Sequence, residues 1–234
     1  MVIENLTLHN FRNYEDETFA FDAGLNVLTG RNAQGKTNCA EAVFYLCTGT
    51  SLRIRHDRQL IRRGETSARI AAKAHTRFGS VTLEAVIFEN KRELFVNGNK
   101  VTKAADFVGN MNCVFFSPGE LRLIQDGPDE RRRFLNLSIS QTSREYCTAL
   151  ARYQRILDQR NNLLKERDVS LVLETLPVWD EQLAVYAARI VRHRRRYLSE
   201  LSPLAHDAHA YLTDGAEDLR LDMDGSYPED ETEI

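Results

Sequence analysis

The sequence predicts an α/β protein in which a mixed sheet, opening with a β-hairpin, is followed by an antiparallel helical arm. Polar and apolar residues alternate over most of the first half, as they do in half-buried strands. After Pro128, apolar residues instead recur at helical spacing for about eighty residues. A glycine-rich loop at residues 30–37 lies between an apolar run and a helical pattern. These observations place the strands and one helix first and the long helices last.

Several segments of the first half have the pattern of strands. Alternation in Val2–His9 and Glu17–Phe21 predicts two strands before the glycine loop. The short apolar run Leu25–Thr29 predicts a strand that leads into the glycine loop, and Thr37–Cys47 has the spacing of a helix. The remaining predicted strands are Ser67–His75, Ser80–Phe88, Arg92–Val96 and Asn112–Phe116.

The second half contains two heptad-like seams of apolar residues. The seams comprise Tyr146, Leu150, Tyr153, Leu157 and Leu164, and then Trp179, Leu183, Tyr186, Ile190 and Tyr197. Val169–Pro177 interrupts the pattern around its proline, so we expect two long helices that fold back on each other. A strand-like segment, Leu219–Met223, precedes an acidic end. We therefore divide the chain into residues 1–127 with the sheet and loop, residues 128–214 as the helical arm, and residues 215–234 as a strand and acidic end.

The composition excludes several classes of protein. Of the 234 residues, 42% are hydrophobic and 28% are charged. No apolar run approaches the roughly 18 residues of a membrane helix, and no basic segment precedes an apolar stretch at the start. We therefore expect a cytoplasmic protein without a membrane partner. Its four cysteines form no C-x-x-C pair and are expected to be reduced thiols.

Charge is distributed unevenly along the chain. The net charge is −3, but from Asp214 onward nine acidic residues accompany Arg220 alone. Removing that −8 from the total leaves residues 1–213 at +5. A modestly basic body is compatible with a nucleotide or nucleic-acid partner.

The glycine loop matches the pattern G-x-x-x-x-G-K-T at every defined position. Gly30 and Gly35 allow the backbone to curl so that consecutive N–H groups point at a phosphate, and the following helix adds its positive dipole end. Lys36 is expected to reach the β- and γ-phosphates, and the Thr37 hydroxyl is expected to coordinate Mg²⁺. The alternative is a glycine turn with an exposed lysine. The residues predicted to bind a nucleoside triphosphate are Gly30, Arg31, Asn32, Ala33, Gln34, Gly35, Lys36, Thr37 and Asn38.

A second motif lies upstream of the loop. Leu8–Tyr14, followed by Phe19-x-Phe21 and Gly24-Leu25-Asn26, resembles the opening of the SMC-like ATPases. This resemblance implies that a β-hairpin precedes the nucleotide loop and that Arg12 approaches the phosphates or the adenine of ATP. A guanidinium can bind phosphate in a bidentate manner. The alternative for Arg12 is a solvated arginine on the hairpin.

Further motifs resemble one family of that superfamily, the RecF recombination-mediator ATPases of bacteria. These motifs are Gly35–Ala42, Phe116–Leu121, Gly127–Leu135, Gln159–Asn161 and Trp179–Leu183. The resemblance implies an ABC/SMC-like P-loop ATPase head with an inserted helical arm. Two positions depart from the family pattern. Ala33 stands where a second loop glycine is usual, and Gly119 stands where an acidic residue usually follows proline.

The resemblance implies an ATP-dependent DNA-binding protein of DNA replication, recombinational repair and the SOS response. ATP and Mg²⁺ would join two copies into a homodimer that holds DNA at single-strand/double-strand junctions, and slow hydrolysis would release it. Cooperation with RecR and RecO in loading RecA is implied in the same way. The sequence contains neither an apolar strand ending in a magnesium-binding Asp nor a Ser-Gly-Gly signature. We therefore expect a fragment without turnover of its own, taken from a weak DNA-dependent ATPase.

Three groups of arginines are candidates for contacts with DNA phosphates. The group at residues 53–63 is expected to form a DNA-facing lobe beside the nucleotide site. For the group at residues 131–133 the alternative is helix salt bridges with Asp129 and Glu130, whereas three arginines of the arm can share one helix face. The candidates are Arg53, Arg55, Arg58, Arg62, Arg63, Arg131, Arg189, Arg192 and Arg196.

Two other classes of function stay open from the residues alone. The first is another SMC-like or transporter-type ATPase head, which a long coiled coil or a transporter-type histidine switch would favour. The second is a non-catalytic interaction module.

Overall fold

The computed structural model describes residues 1–54 and 56–223, which form two compact units. The first unit runs from Met1 to Arg144, and the second begins at Glu145. The division therefore falls 17 residues after the predicted boundary at residue 127. Its position follows from Pro128–Thr142, a helix that packs in the first unit rather than in the arm.

A six-stranded sheet forms the first unit. Its strands are β1 (Val2–Phe11), β2 (Tyr14–Ala20), β3 (Ser67–Thr76), β4 (Gly79–Phe88), β5 (Arg92–Val96) and β6 (Asn99–Val101), in the order β2-β1-β3-β4-β5-β6. Every pairing between these strands is antiparallel. The predicted opening hairpin is confirmed, but the sheet of the described residues is antiparallel rather than mixed.

One face of the sheet is apolar because alternate residues of each strand point the same way. In register, Leu8 of β1 lies opposite Ile70 of β3, which lies opposite Ala85 of β4. All three side chains are buried, together with Leu6, Phe11, Ala68, Ala72, Ala74, Leu83, Ile87 and Leu94. The opposite face carries ion pairs such as Arg69 with Glu84, so the alternation in the sequence sets which face packs inward.

The helices of the first unit are mostly short. They are α1 (Lys36–Thr48), α2 (Ala104–Phe107), α3 (Arg122–Gln125) and α4 (Pro128–Thr142), with single 3₁₀ turns at Asp57–Leu60 and Pro118–Leu121. Helix α1 packs on β3 and β4 and on α4. It buries Cys39, Ala42, Phe44, Tyr45, Leu46 and Cys47.

A polar cluster fixes the end of α1 to the sheet. Arg92 of β5 donates hydrogen bonds to the Gly49 carbonyl and to Asp57. The Tyr45 hydroxyl donates to the same Asp57 carboxylate over 2.8 Å. Burial raises the pKa of Tyr45, so its phenol stays neutral and remains a donor. The cluster therefore fixes the C-terminal end of α1 to β5.

Two predicted strands do not form. Leu25–Thr29 and Asn112–Phe116 have no regular secondary structure and pair with no described strand, and the side chains of Leu25 and Val114 are 90% and 100% exposed. Within residues 112–116, Phe115 packs edge-on against Phe44, and the Cys113 backbone exchanges two hydrogen bonds with the Gln141 side chain rather than with a strand. A strand needs a neighbour to accept its backbone hydrogen bonds, and no described strand runs beside either segment.

Two long helices form the arm. Helix α5 covers Arg144–Leu163 and α6 covers Val169–Leu212. Arg194 donates to the Tyr146 hydroxyl over 3.1 Å, and Arg160 pairs with Asp180 at 2.5 Å. Early residues of α5 thus meet late residues of α6, which confirms the predicted antiparallel hairpin.

The break between the arm helices is not at Pro177, as the sequence had suggested. Helix α6 continues through Pro177 and Pro203. It begins instead at Val169, directly after Asp168, whose carboxylate accepts a hydrogen bond from the Leu171 N–H over 3.2 Å. An N-cap side chain accepts a hydrogen bond from a first-turn N–H that has no partner within the helix, so it favours the start of a helix at that position. A proline in the helix interior can bend the helix without ending it.

The predicted strand Leu219–Met223 is also wrong. Its residues have no regular secondary structure, although the Leu221 N–H donates to the Ser202 hydroxyl of α6 over 3.3 Å. The Ser202 side chain accepts one hydrogen bond, whereas a strand requires the repeated backbone hydrogen bonds of a neighbouring strand. The rest of the predicted acidic end, residues 224–234, lies outside the described residues. No described helix combines the length and the apolar character that crossing a bilayer requires.

Candidate nucleotide-binding site

The glycine loop joins the extended segment after β2 to the N-terminus of α1. Gly30 and Gly35 have φ values of 144° and 103°, which side chains disfavour, so glycine is required at both turns. Helix α1 begins at Lys36, and no side chain caps its first turn. The N–H groups of that turn are therefore available to an anion at the positive end of the helix dipole.

The opening hairpin packs directly on this loop. A Cβ atom on Gly35 would lie 2.7 Å from the Tyr14 hydroxyl and 2.8 Å from the Asn13 amide, so the close approach also requires glycine. Asn13 donates to the Gln34 carbonyl over 3.2 Å and accepts from the Asn38 side chain over 2.7 Å. A single hairpin side chain thus connects the loop to the first turn of α1.

Lys36 extends back over its own loop. Its Nζ donates to the carbonyl oxygens of Gly30 and Arg31, each over 2.7 Å. The two bonds place a positive charge above the curled backbone. Thr37 is exposed beside it at the start of the helix. A phosphate at the helix N-terminus would therefore find backbone donors, an ammonium group and a hydroxyl from neighbouring residues.

Two weakly acidic groups next to the loop, the Cys39 thiol and the Tyr14 phenol, are uncharged. Burial raises the pKa of the Cys39 thiol to about 11, and burial also raises the pKa of the Tyr14 phenol. Both groups therefore keep their protons at neutral pH. Neither adds a negative charge that would oppose an incoming phosphate.

Arg12 joins the opening hairpin to α1 through a buried ion pair. Its Nε and one terminal nitrogen donate to the two Glu41 oxygens over 3.0 and 2.9 Å, and the other nitrogen donates to the Gln59 carbonyl. Glu41 is 1% exposed and also accepts from the Ser51 hydroxyl over 2.6 Å. A buried carboxylate requires such compensation. The guanidinium therefore holds the hairpin against α1, and its contact with the nucleotide stays a prediction.

Glu41 is a residue that the sequence analysis missed as part of the site. Its signal was present, because it is the one charged residue among the buried positions of α1. A carboxylate on an apolar helix face indicates a buried partner. The partner Arg12 lies 29 residues away in the sequence, and only the folded hairpin brings the two together.

The arginines of the predicted DNA-facing group are spread over several environments. Arg53 donates to the Asn38 side chain over 3.2 Å, and Arg62 pairs with Glu15 at 2.9 Å. Arg58 and Arg63 are exposed. Arg55 lies outside the described residues. The structure thus brings Arg53 to the nucleotide loop and leaves Arg58 and Arg63 at the surface.

The second predicted arginine group is structural in its contacts. Arg131 donates to the carbonyl oxygens of Leu123 and Asp126 over 3.3 and 3.0 Å. Arg132 pairs with Asp129, and Arg133 lies 3.8 Å from Glu130. Helix salt bridges, the alternative considered for this group, are therefore present. Arg133 also donates to the Ser51 carbonyl over 3.0 Å, which attaches the loop after α1 to α4.

The arm arginines lie on the exposed side of α6. Arg189 lies over the Tyr186 ring at 5.5 Å, and Arg196 pairs with Glu200 at 3.0 Å. Arg192 is exposed between them. The predicted common face of these three residues is therefore solvent-facing.

A cation-binding cluster of the usual kind is not found in the described part of the chain. No group of three or more His, Cys, Asp or Glu side chains there could hold a metal ion. The Thr37 hydroxyl fits Mg²⁺ as one oxygen ligand, and the remaining ligands of such an ion are commonly phosphate oxygens and water.

These features define a P-loop nucleotide-binding domain. Residues 5–176 match the family described as the AAA domain, and the chain belongs to that family. Among relatives, it is 40% identical over 226 residues to the DNA replication and repair protein RecF of Geobacillus thermodenitrificans and 42% identical over 224 residues to RecF of Geobacillus kaustophilus. Each alignment covers 94% of this chain, and 60% and 59% of the relatives.

The similarity extends to three dimensions. The structure of the recombination mediator protein RecF with ATP superimposes with a TM-score of 0.83 at 30% identity, covering 91% of this chain and 58% of that one. The predicted resemblance to RecF and the predicted ATPase-head fold with a helical arm are confirmed. The chain spans about 60% of the length of the curated relatives that it matches. These matches do not favour a transporter-type head.

Proposed function

We propose that this chain binds ATP at Gly30–Asn38 and supplies the nucleotide-binding part of a RecF-type DNA replication and repair protein. The observation that carries the proposal is the geometry of the loop. Its two glycines at positive φ, the uncapped start of α1 and the Lys36 ammonium all converge on one place. The solved relative named as RecF–ATP supports the identity of the nucleotide.

Binding proceeds by exchange at Lys36. The ammonium transfers its bonds from the Gly30 and Arg31 carbonyls to the β- and γ-phosphates, while the N–H groups of residues 34–37 bond the phosphate oxygens. The Thr37 hydroxyl would hold Mg²⁺, which would neutralise charge on the phosphates. Arg12 and Asn13 act through the hairpin, because their bonds to Glu41 and Gln34 set the position of the loop.

The activity of the full-length protein goes further. In it, ATP joins two copies into a homodimer that holds DNA at single-strand/double-strand junctions in the cytoplasm, with RecR, RecO and RecA as partners in recombinational repair and the SOS response. The exposed Arg58 and Arg63 supply phosphate contacts on the first unit. The names of the relatives, DNA replication and repair proteins, support this role.

We also propose that further strands complete the sheet in the full-length protein. The segments 25–29 and 112–116 are largely apolar and pair with no described strand, and Phe116 is 85% exposed. An apolar segment whose backbone N–H and C=O groups have no strand partner can pair with a further strand. Such strands would carry a magnesium-binding aspartate, which a P-loop ATPase needs for hydrolysis, and the full-length protein would then act as a weak DNA-dependent ATPase.

Titration calorimetry with ATP and Mg²⁺ tests the nucleotide site. Lys36→Met removes the ammonium that bonds the phosphates, so we expect ATP affinity to fall by about a hundredfold. Lys100→Met is the matched control, because Lys100 pairs with Glu93 on the sheet and should leave the affinity unchanged. Equal affinities for Lys36→Met and the unmodified chain would overturn the proposal.

A further inference from the structure

Helix α6 exposes a face with an unusual order of side chains. Val178 and Val185, seven residues apart, are 53% and 47% exposed. Glu181, Arg189 and Arg192 are also exposed, and they lie three, four or seven residues from these valines. Side chains at such spacings share one side of a helix. We call these five residues the α6 face.

The α6 face is self-complementary about Val185. Glu181 lies four residues before Val185 and Arg189 four residues after it, while Val178 and Arg192 lie seven residues before and after. If a second α6 runs antiparallel with the two Val185 side chains in contact, each Glu181 faces an Arg189 of the other copy. A parallel arrangement would instead place like charges together. Only the antiparallel pairing satisfies both charges twice.

The apolar part of the face fits the same arrangement. In it, Val178 lies against the aliphatic stem of Arg192 from the second copy, and Val185 covers its own symmetry mate. Removing these exposed aliphatic side chains from water contributes a favourable free energy to association. Glu181 in the middle of the face disfavours a nucleic-acid backbone, because it repels phosphate.

We propose that the α6 face is a dimerisation surface that binds a second copy of this chain in antiparallel orientation. Two valines per copy bury little apolar area, so the dimer is weak and its dissociation constant lies in the micromolar range, about 10–100 μM. The interaction requires no nucleotide. It is therefore separate from the ATP-dependent dimer proposed above, and its failure would leave the nucleotide site unaffected.

Analytical ultracentrifugation of the chain without nucleotide tests the surface. Val185→Glu places two carboxylates against each other at the symmetry axis, and we expect the dissociation constant to rise more than about tenfold. Val169→Glu is the matched control: it makes the same change at a 66% exposed valine of α6 that lies about 160° around the helix. The control should dimerise like the unmodified chain. A chain that stays monomeric up to several times the expected constant overturns the proposal, as does equal dissociation by both variants.

Charge exchange tests the pairing itself. Glu181→Arg and Arg189→Glu each place like charges together in their own dimers, so each variant alone should be monomeric. Mixing the two restores opposite charges at both contacts, and we expect the mixture to dimerise with the affinity of the unmodified chain. Both positions are exposed, so neither change threatens the fold. A mixture that stays monomeric contradicts the antiparallel register.

Discussion

Ala33 adopts a left-handed backbone conformation, with φ at 65°, in the middle of the phosphate loop. That conformation costs an L-residue about 1–2 kcal/mol, whereas glycine adopts it freely at the expense of a more flexible unfolded chain. The methyl group blocks no N–H donor, so the loop keeps its function and loses stability. The departure from the family pattern therefore has a measurable energetic consequence.

We expect Ala33→Gly to raise the free energy of unfolding by about 0.5–1 kcal/mol, because relief of the strain exceeds the added entropy of the unfolded chain. Urea denaturation of the chain measures the change. Ala151→Gly, on the exposed side of α5, is the control and should lower the stability by about 1 kcal/mol. Destabilisation by Ala33→Gly would contradict the left-handed loop conformation.

The Arg12–Glu41 pair gives a second prediction for single residues. Glu41→Gln leaves the guanidinium partly buried without its counter-charge, so we expect the free energy of unfolding to fall by about 2–3 kcal/mol. Arg69–Glu84 has the same two-bond geometry on the outer face of the sheet, with Arg69 45% exposed. Glu84→Gln should therefore cost less than about 1 kcal/mol. Similar losses in both variants would show that Glu41 is not the buried anchor of the hairpin.

Among the elements, α6 contains a proline where a helix would ordinarily avoid one. Pro177 removes a backbone donor and crowds the preceding turn, at a cost of about 3 kcal/mol in a helix interior. We expect Pro177→Ala to stabilise the arm by about 1–3 kcal/mol and to slow hydrogen exchange over residues 169–180. Pro128→Ala is the control, since Pro128 occupies the first position of α4, where proline is well tolerated. A Pro177→Ala arm that exchanges faster would be the contrary result.

Elements whose signals are local were predictable from the sequence. The loop, the start of α1 and the opening hairpin depend on glycines and alternation within a few residues. The arm helices were predictable as elements, but their break was not, because the Asp168 cap outweighed the proline as a boundary signal. The run 25–29 has the composition of a strand, yet composition does not supply the neighbour with which a strand must pair.

The site was predictable to the same extent. The residues of the loop follow a contiguous pattern, so their assignment needed no tertiary information. The partner of Arg12 was hidden because Glu41, Ser51 and Gln59 come from three later segments. Likewise, the sequence alone suggests that the arginines at residues 131–133 form a basic patch. In the structure, Arg131 donates to a backbone carbonyl and Arg132 pairs with a carboxylate.

At the scale of the whole molecule, the proposed DNA contact predicts a change in salt dependence. In the full-length protein, Arg58→Ala with Arg63→Ala should reduce the slope of log affinity against log salt by about two, because two phosphate contacts are lost. Fluorescence anisotropy with a gapped duplex measures the slope. Arg69→Ala, on the outer face of the sheet and paired with Glu84, is the control. An unchanged slope in the double variant would place the DNA elsewhere.

The two bonds from Lys36 to Gly30 and Arg31 also bear on the kinetics of nucleotide capture. Because the Lys36 ammonium bonds the carbonyl groups of its own loop, the loop keeps its binding conformation without ATP. Association of ATP then requires no rearrangement of the loop backbone, so the association rate should be high. The same bonds must break as phosphate arrives, which makes them competitors of the ligand. We therefore expect ATP to associate rapidly and to bind with moderate affinity.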